Sequence, residues 1–205
     1  LRCLVGSEMC IRDRLKKILK ETHELVDLQY STYNRSLIPA LKKRGLKIIS
    51  EHESLSEEQK KFVDAYFEEN VYPVLTPMAM DSSRPFPLIR NKTLNIGALI
   101  CRKDGKEKHK TLDFATVQVP SVLPRIVELP EGKDGEKRVI LLEEIIERNI
   151  GQLFLSYDVV CAHPYRVMRN ADLSIDEDDA EDLLKEIEKS LKMRQWGEVI
   201  KFEYE

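Results

Sequence analysis

From Leu15 onward, Leu15, Ile18, Leu19, Thr22, Leu25, Val26 and Gln29 recur at three- and four-residue steps with Lys, Glu and Asp between them, the spacing of one face of an amphipathic helix. This pattern predicts a helix that continues through Tyr30 and Leu37 and is perturbed at Pro39. It should stop near Gly45, where a residue tolerant of positive φ follows the last turn. Leu46 to Ile49 reads as extended. Ser56 followed by Gln59 is a capping-box signature, and Phe62, Val63, Tyr66, Phe67 and Val71 supply the apolar face of a second helix. Together these make a helical hairpin. Two helices cannot bury their apolar stripes alone, so the hairpin is expected to be the tail of a larger helical domain.

The stretch Val71 to Pro87 then places four of the nine prolines, Pro73, Pro77, Pro85 and Pro87, within seventeen residues. None of them fits inside a regular helix or a central strand, and the apolar residues between them predict a packed seam between two halves. Past it the period changes to two. Leu94, Ile96, Ala98 and Ile100 alternate along a strand, a turn with Gly105 follows, and Phe114 to Val119 reads as the hairpin partner. Val119 to Pro130 reads as an edge or irregular strand, Val139 to Ile150 as a short strand feeding a helix that Gly151 stops, and Tyr157 to Met168 as strand around Pro164. Asp176 starts a helix with Ala180, Leu183, Leu184, Ile187 and Leu191 on one face, which Gly197 ends. Ile200, Phe202 and Tyr204 close the chain as a strand, giving a βαβ-like or split unit. The fold class is therefore α+β: a helical hairpin followed by a mixed α/β unit.

Composition narrows the function classes. With 205 residues and 42% hydrophobic content the chain can bury a core, and its 36 acidic and 33 basic residues (net −3, pI near 5.9) give no global attraction to nucleic acid or anionic membrane. No apolar run approaches the roughly 18 residues a membrane span needs, and no secretory leader pattern opens the chain, so a cytoplasmic protein that does not bind nucleic acid is expected. Cys101 and Cys161 stand singly in apolar runs without metal-ligand spacing and read as buried, inert thiols. Residues 1–14 show neither period, and their string GSEMCIRDR resembles translated sequencing-adapter read-through, so they are expected to be non-native.

The chemistry-bearing residues are sparse. There is no glycine-rich phosphate loop, HExxH, CxxC or GxSxG, and the four histidines are scattered, with His163 read as structural. The acidic run Asp176 to Asp182 could suggest Mg2+, but at a helix start it reads as capping. Trp196 reads as a hydrophobic plug at the helix end. One positive signal remains. Arg84, Arg90 and Lys92 flank the seam, and Arg166 with Arg169 lie near a strand end; the two clusters could meet a phosphate chain, or could form structural salt bridges instead.

The order of VYPVLTPMAMDSSRPFP, NKTLNIG, VQVPSVLPRIVELP and YRVMRNADLSIDEDDAEDLLKEIEKSLKMRQWGEVIKFE closely resembles the bacterial polyphosphate kinases that make long-chain polyphosphate from ATP. The resemblance covers nearly everything from Leu15 to Glu205. It implies that residues 15–76 end an N-terminal helical domain and that residues 77–205 form much of a head domain, truncated at its C-terminus, through which the protein contacts itself as a homo-oligomer. It implies ATP and Mg2+ as cofactors of the intact enzyme and transfer of the terminal phosphate of ATP to polyphosphate through a phosphohistidine in domains absent here. Peripheral membrane association of the intact enzyme is a further expectation. The family's catalytic histidine, its arginines and lysine, and the asparagine that contacts adenine have no counterparts in this chain, and neither Asn34 nor Asn91 stands in for that asparagine. No catalytic, cofactor-binding or metal residue is therefore named, and the fragment is expected to be an inactive scaffold. The alternative is a stand-alone, non-catalytic interaction or polyanion-binding module of the same fold.

Overall fold

The computed structural model describes residues 2–50, 54–80, 87–103, 112–131, 135–170, 188, 191, 193 and 196–204, with side chains from Ile11 onward. It divides into two compact units, Leu1–Ile48 with Glu131–Val139, and Ile49–Pro130 with Ile140–Glu205.

In the first unit, α1 runs from Arg2 to Thr32. It begins well before Leu15, where the amphipathic register starts, since a proline-free segment can propagate helix without an apolar period. Leu15, Ile18, Leu19 and Leu25 are exposed along it, and Lys17–Glu21 and Lys20–Glu24 pair at 3.8 Å one turn apart. A wide turn over Tyr33–Leu37, closed by the Ile38 N–H donating to the Tyr33 carbonyl, leads into α2 (Ile38–Lys43). Pro39 sits at the start of α2, where its missing N–H costs nothing. Gly45, at φ +80, ends α2 as expected, and its carbonyl accepts the Lys137 N–H at 2.9 Å, joining the start of β1 (Leu46–Ile49) to β6 (Lys137–Leu141).

The second unit is built on a five-stranded antiparallel sheet in the order β2 (Pro77–Ala79), β4 (Leu112–Gln118), β3 (Leu94–Arg102), β7 (Tyr157–Arg169), β8 (Val199–Tyr204). Two other elements of this unit are α3 (Glu57–Tyr66) and α4 (Leu142–Asn149), with the short strand β5 (Ile126–Glu128) between them in sequence. One core forms from Val63, Phe67 and Val71 of α3 and its extension, Ile145 and Ile146 of α4, and Ile96, Ala98, Ile100, Ala115 and Val117 of the sheet, all buried. The described residues of the proline-rich stretch, 71–80 and Pro87, lie inside this unit, and Pro77 occupies an edge strand, where a proline needs no partner on its outer side. β7 and β8 are direct antiparallel neighbours, so they do not form the parallel pair of a βαβ unit.

Ser56 caps α3 as a capping box. Its hydroxyl accepts the Gln59 N–H at 3.3 Å while Gln59 Oε1 accepts the Ser56 N–H at 3.2 Å. Gln59 is itself buried and donates from Nε2 to the Pro130 carbonyl at 3.0 Å. Arg148 of α4 reaches Asp64 of α3 at 3.0 Å, tying the two helices together. Pro164 falls just before the part of β7 that pairs with β8. Most of the helix expected from Asp176 lies outside the described residues; Glu188, Leu191 and Met193 are helical. Trp196 is 59% exposed and does not plug a core, because no apolar surface among the described residues covers it.

Candidate functional site

The turn that precedes β3 carries the basic residues singled out from the sequence. Its shape is fixed by β7: the Lys92 N–H donates to the Val167 carbonyl at 2.8 Å, and Asn91 Oδ1 accepts the Arg169 N–H at 2.9 Å. The Arg90 carbonyl accepts Thr93 Oγ1 at 3.0 Å and Asn95 Nδ2 donates to the Thr93 carbonyl at 2.9 Å, closing the turn from the β3 side. Held from both flanks, Lys92 adopts φ 62, a left-handed conformation that side chains other than glycine and asparagine rarely take.

The five candidate cations separate into different roles. Arg90 and Lys92 are exposed and make no ion pair among the described residues, so their charge is available to an anion. Arg169 is not: its Nε donates to the Ile89 carbonyl at 3.0 Å and its Nη1 to the Gly197 carbonyl at 2.8 Å, stapling the turn and the start of β8 to the end of β7. Arg166 stands opposite Glu203 in the strand register, and its Nε is buried without a hydrogen-bond partner. The Glu203 carboxyl is held below the usual range chiefly by its hydrogen bond with Lys201, against the effect of burial, and the charge of Arg166 adds a smaller pull in the same direction. Arg84 and the acidic run Asp176–Asp182 lie outside the described residues.

The opposite feature is apolar. Phe114, Tyr165, Phe202 and Tyr204 form a row of rings across one face of the sheet, with centroids 6.4, 5.6 and 5.7 Å apart in succession. They line a groove of about 420 Å³ with Gly97, Leu99, Cys161 and His163. Gly97 makes the row possible. A Cβ there would stand 3.1 Å from the Phe114 ring and 3.2 Å from Tyr165, so the absence of a side chain lets both rings lie on the strand. Burial raises the Tyr165 hydroxyl above its ordinary pKa, while its contact with Thr116 pulls the other way.

His163, read as structural, is largely exposed at the groove and lies 3.8 Å from Glu147 of α4. Cys101 is buried as expected; Cys161 is only half-buried. Among the described residues no group of three His, Cys, Asp or Glu side chains is arranged to hold a metal ion, and no helix is long and apolar enough to cross a membrane. Sequence reasoning missed the aromatic row, whose one visible signal was a glycine in the middle of an alternating strand.

Residues 58–205 match the family described as the polyphosphate kinase middle domain. The polyphosphate kinase of Lactiplantibacillus plantarum is 48% identical over 193 residues, covering 94% of this chain and 26% of the relative. That of Halalkalibacterium halodurans is 42% identical over 192 residues, with the same coverage of 94% and 26%. The crystal structure of polyphosphate kinase from Porphyromonas gingivalis superposes with a TM-score of 0.66 at 25% identity, over 87% of this chain and 29% of that one. The chain thus spans about a quarter of the length of these two relatives.

Proposed function

Because this chain belongs to the polyphosphate kinase family, we propose that it is a piece of an ATP-dependent phosphotransferase that extends polyphosphate, and that this piece acts as scaffold and self-contact rather than as the reacting centre. The observation that carries the reading is 48% identity over 94% of the chain. In the intact protein, the terminal phosphate of ATP passes to a histidine and then to the growing chain, with Mg2+ and basic side chains neutralising the transferring group. Those reacting groups belong to parts of the polypeptide outside these 205 residues. What this segment supplies is position: a sheet packed against two helices, with Arg90 and Lys92 held on a fixed turn where a polyanion can meet them.

A chimera tests this. The L. plantarum enzyme is prepared with its aligned 193 residues replaced by those of this chain, and transfer of labelled phosphate from ATP into acid-insoluble polyphosphate is measured. Synthesis by the chimera, with none from this chain alone, is the expected result. A folded chimera without activity, or synthesis by the isolated chain, would overturn the scaffold reading.

A further inference from the structure

Successive residues of β3 face opposite sides of the sheet. Ile96, Ala98 and Ile100 enter the core shared with α3 and α4, while Gly97 and Leu99 open onto the groove, beside Cys161 and His163 of β7. At about 420 Å³ the groove falls within the size of small-ligand sites, about 300–1,000 Å³. Its lining is almost wholly hydrocarbon. The Tyr165 hydroxyl is already committed to Thr116 at 2.7 Å, and His163 lies 3.8 Å from Glu147. A polar ring such as a nucleobase would find few partners there for its edges, whereas an aliphatic chain needs none.

The aromatic row meets charge at one end. Phe202 is the cross-strand neighbour of Val167 on one side, and on the other side the Val167 carbonyl accepts the Lys92 N–H at 2.8 Å. Ile89 of the same turn packs with Tyr165 and Val167. Arg90 and Lys92 therefore border the row, exposed and without an ion pair among the described residues. From His163 at the groove to Val167 at the turn, β7 rises by four residues, about 13 Å. A ligand that fills the groove and also reaches the turn must be long, apolar along its length and anionic at one end. We infer that this face binds a free long-chain carboxylate, a fatty acid, whose chain runs from the groove over Tyr165 and Phe202 and whose carboxylate meets Arg90 and Lys92.

The probe is laurate, titrated below its micelle concentration into the full 205-residue chain by isothermal calorimetry. One saturable site per chain is expected. Octanoate should bind at least about tenfold more weakly, because it buries fewer methylenes. Dodecyltrimethylammonium, which has the same chain length and the opposite charge, should also bind at least about tenfold more weakly at low salt. Arg90→Gln with Lys92→Gln should erase the preference for the anion, and Cys161→Phe, which fills the groove, should abolish binding of both amphiphiles. No saturable site, equal affinity for laurate and octanoate, or an anion preference that survives loss of both cations would overturn the site.

A second readout needs no variant. Cys161 lines the groove and is half-buried, so saturating laurate should slow its alkylation by N-ethylmaleimide at least about fivefold, followed by peptide mass spectrometry with glutathione as the reference thiol. Unchanged reactivity of Cys161 would put the chain elsewhere and overturn the groove as its site. Co-sedimentation with phosphatidylglycerol vesicles, without binding of monomeric laurate, would assign the face to a lipid surface and overturn the free-acid reading. None of these outcomes bears on synthesis by the chimera, so this site and the scaffold reading fail separately.

Discussion

Tyr165 reaches from β7 across Gly97 of β3 to set its hydroxyl 2.7 Å from Oγ1 of Thr116 on β4, so a single buried hydrogen bond spans three strands. Two aromatic rings lie on the central strand because Gly97 leaves room for them, and the bond fixes one of those rings in place.

Gly97→Ala should destabilise the fold. The new Cβ would press within 3.1 Å of Phe114 and 3.2 Å of Tyr165, and the Thr116 bond stops Tyr165 from yielding. A loss of about 1–3 kcal/mol is expected, as for other overpacked sites, even after the gain from a less flexible unfolded chain. Urea unfolding measures it, through a lower midpoint at unchanged slope.

Tyr165→Phe leaves the Thr116 hydroxyl buried without its partner and should cost about 1–2 kcal/mol at neutral pH. Adding Thr116→Val should cost less than the two single changes summed, since both remove the same bond. The difference between parent and Tyr165→Phe also depends on pH. Burial raises the folded hydroxyl above its ordinary value of 10.0, so the unfolded state ionises first. That contribution is complete below pH 10.0 and is lost as pH rises toward the folded value. Unfolding curves from pH 7 to 11 should show the parent losing its margin over the variant above pH 10.

Gln59→Ala should be costlier than Ser56→Ala. Loss of the Ser56 side chain removes one cap, worth about 1 kcal/mol. Loss of the Gln59 side chain removes the reciprocal bond and also strips the Pro130 carbonyl of its donor, for about 2 kcal/mol. Thermal unfolding of both variants and of the double variant checks the order; the double should fall short of the sum.

Arg90→Glu with Lys92→Glu should abolish salt-sensitive binding of polyphosphate while leaving the melting temperature within a degree or two, because both side chains are exposed and unpaired among the described residues. Arg169→Ala should do the reverse, lowering the melting temperature through loss of the Ile89 and Gly197 carbonyl contacts while weakening binding much less. Titration at two salt concentrations alongside calorimetry separates the two.

Local periodicity made much of this architecture legible. The capping box at Ser56, the stop at Gly45 and the alternation of β3 are written within a few residues each, and each is present as read. What a stripe cannot say is which surface will cover it. Val63 and Phe67 announce an apolar face on α3, yet only the folded chain reveals that sheet residues Ile96 and Ala115 share its core. The basic residues illustrate the same limit. Arg169 carries the same charge as Arg90, but the Ile89 and Gly197 carbonyls that occupy it come from segments far apart in sequence. Likewise the aromatic row draws Phe114, Tyr165 and Phe202 from three strands, and only the strand order sets them side by side.

The central place of β3 has a consequence for how the molecule is made. Its partner β4 follows within one hairpin, but Ile96 lies opposite Pro164 of β7, far later in the chain. At about 5–20 residues per second of synthesis, the hairpin, complete at Gln118, waits roughly 2–10 s on the ribosome before the strand that completes its other side is translated. During that interval the β7-side edge of β3 is open to any extended segment nearby. Crowding of nascent chains on one message would thus favour mispairing at this edge over the correct partner, and slower translation after Arg102 would prolong the exposure.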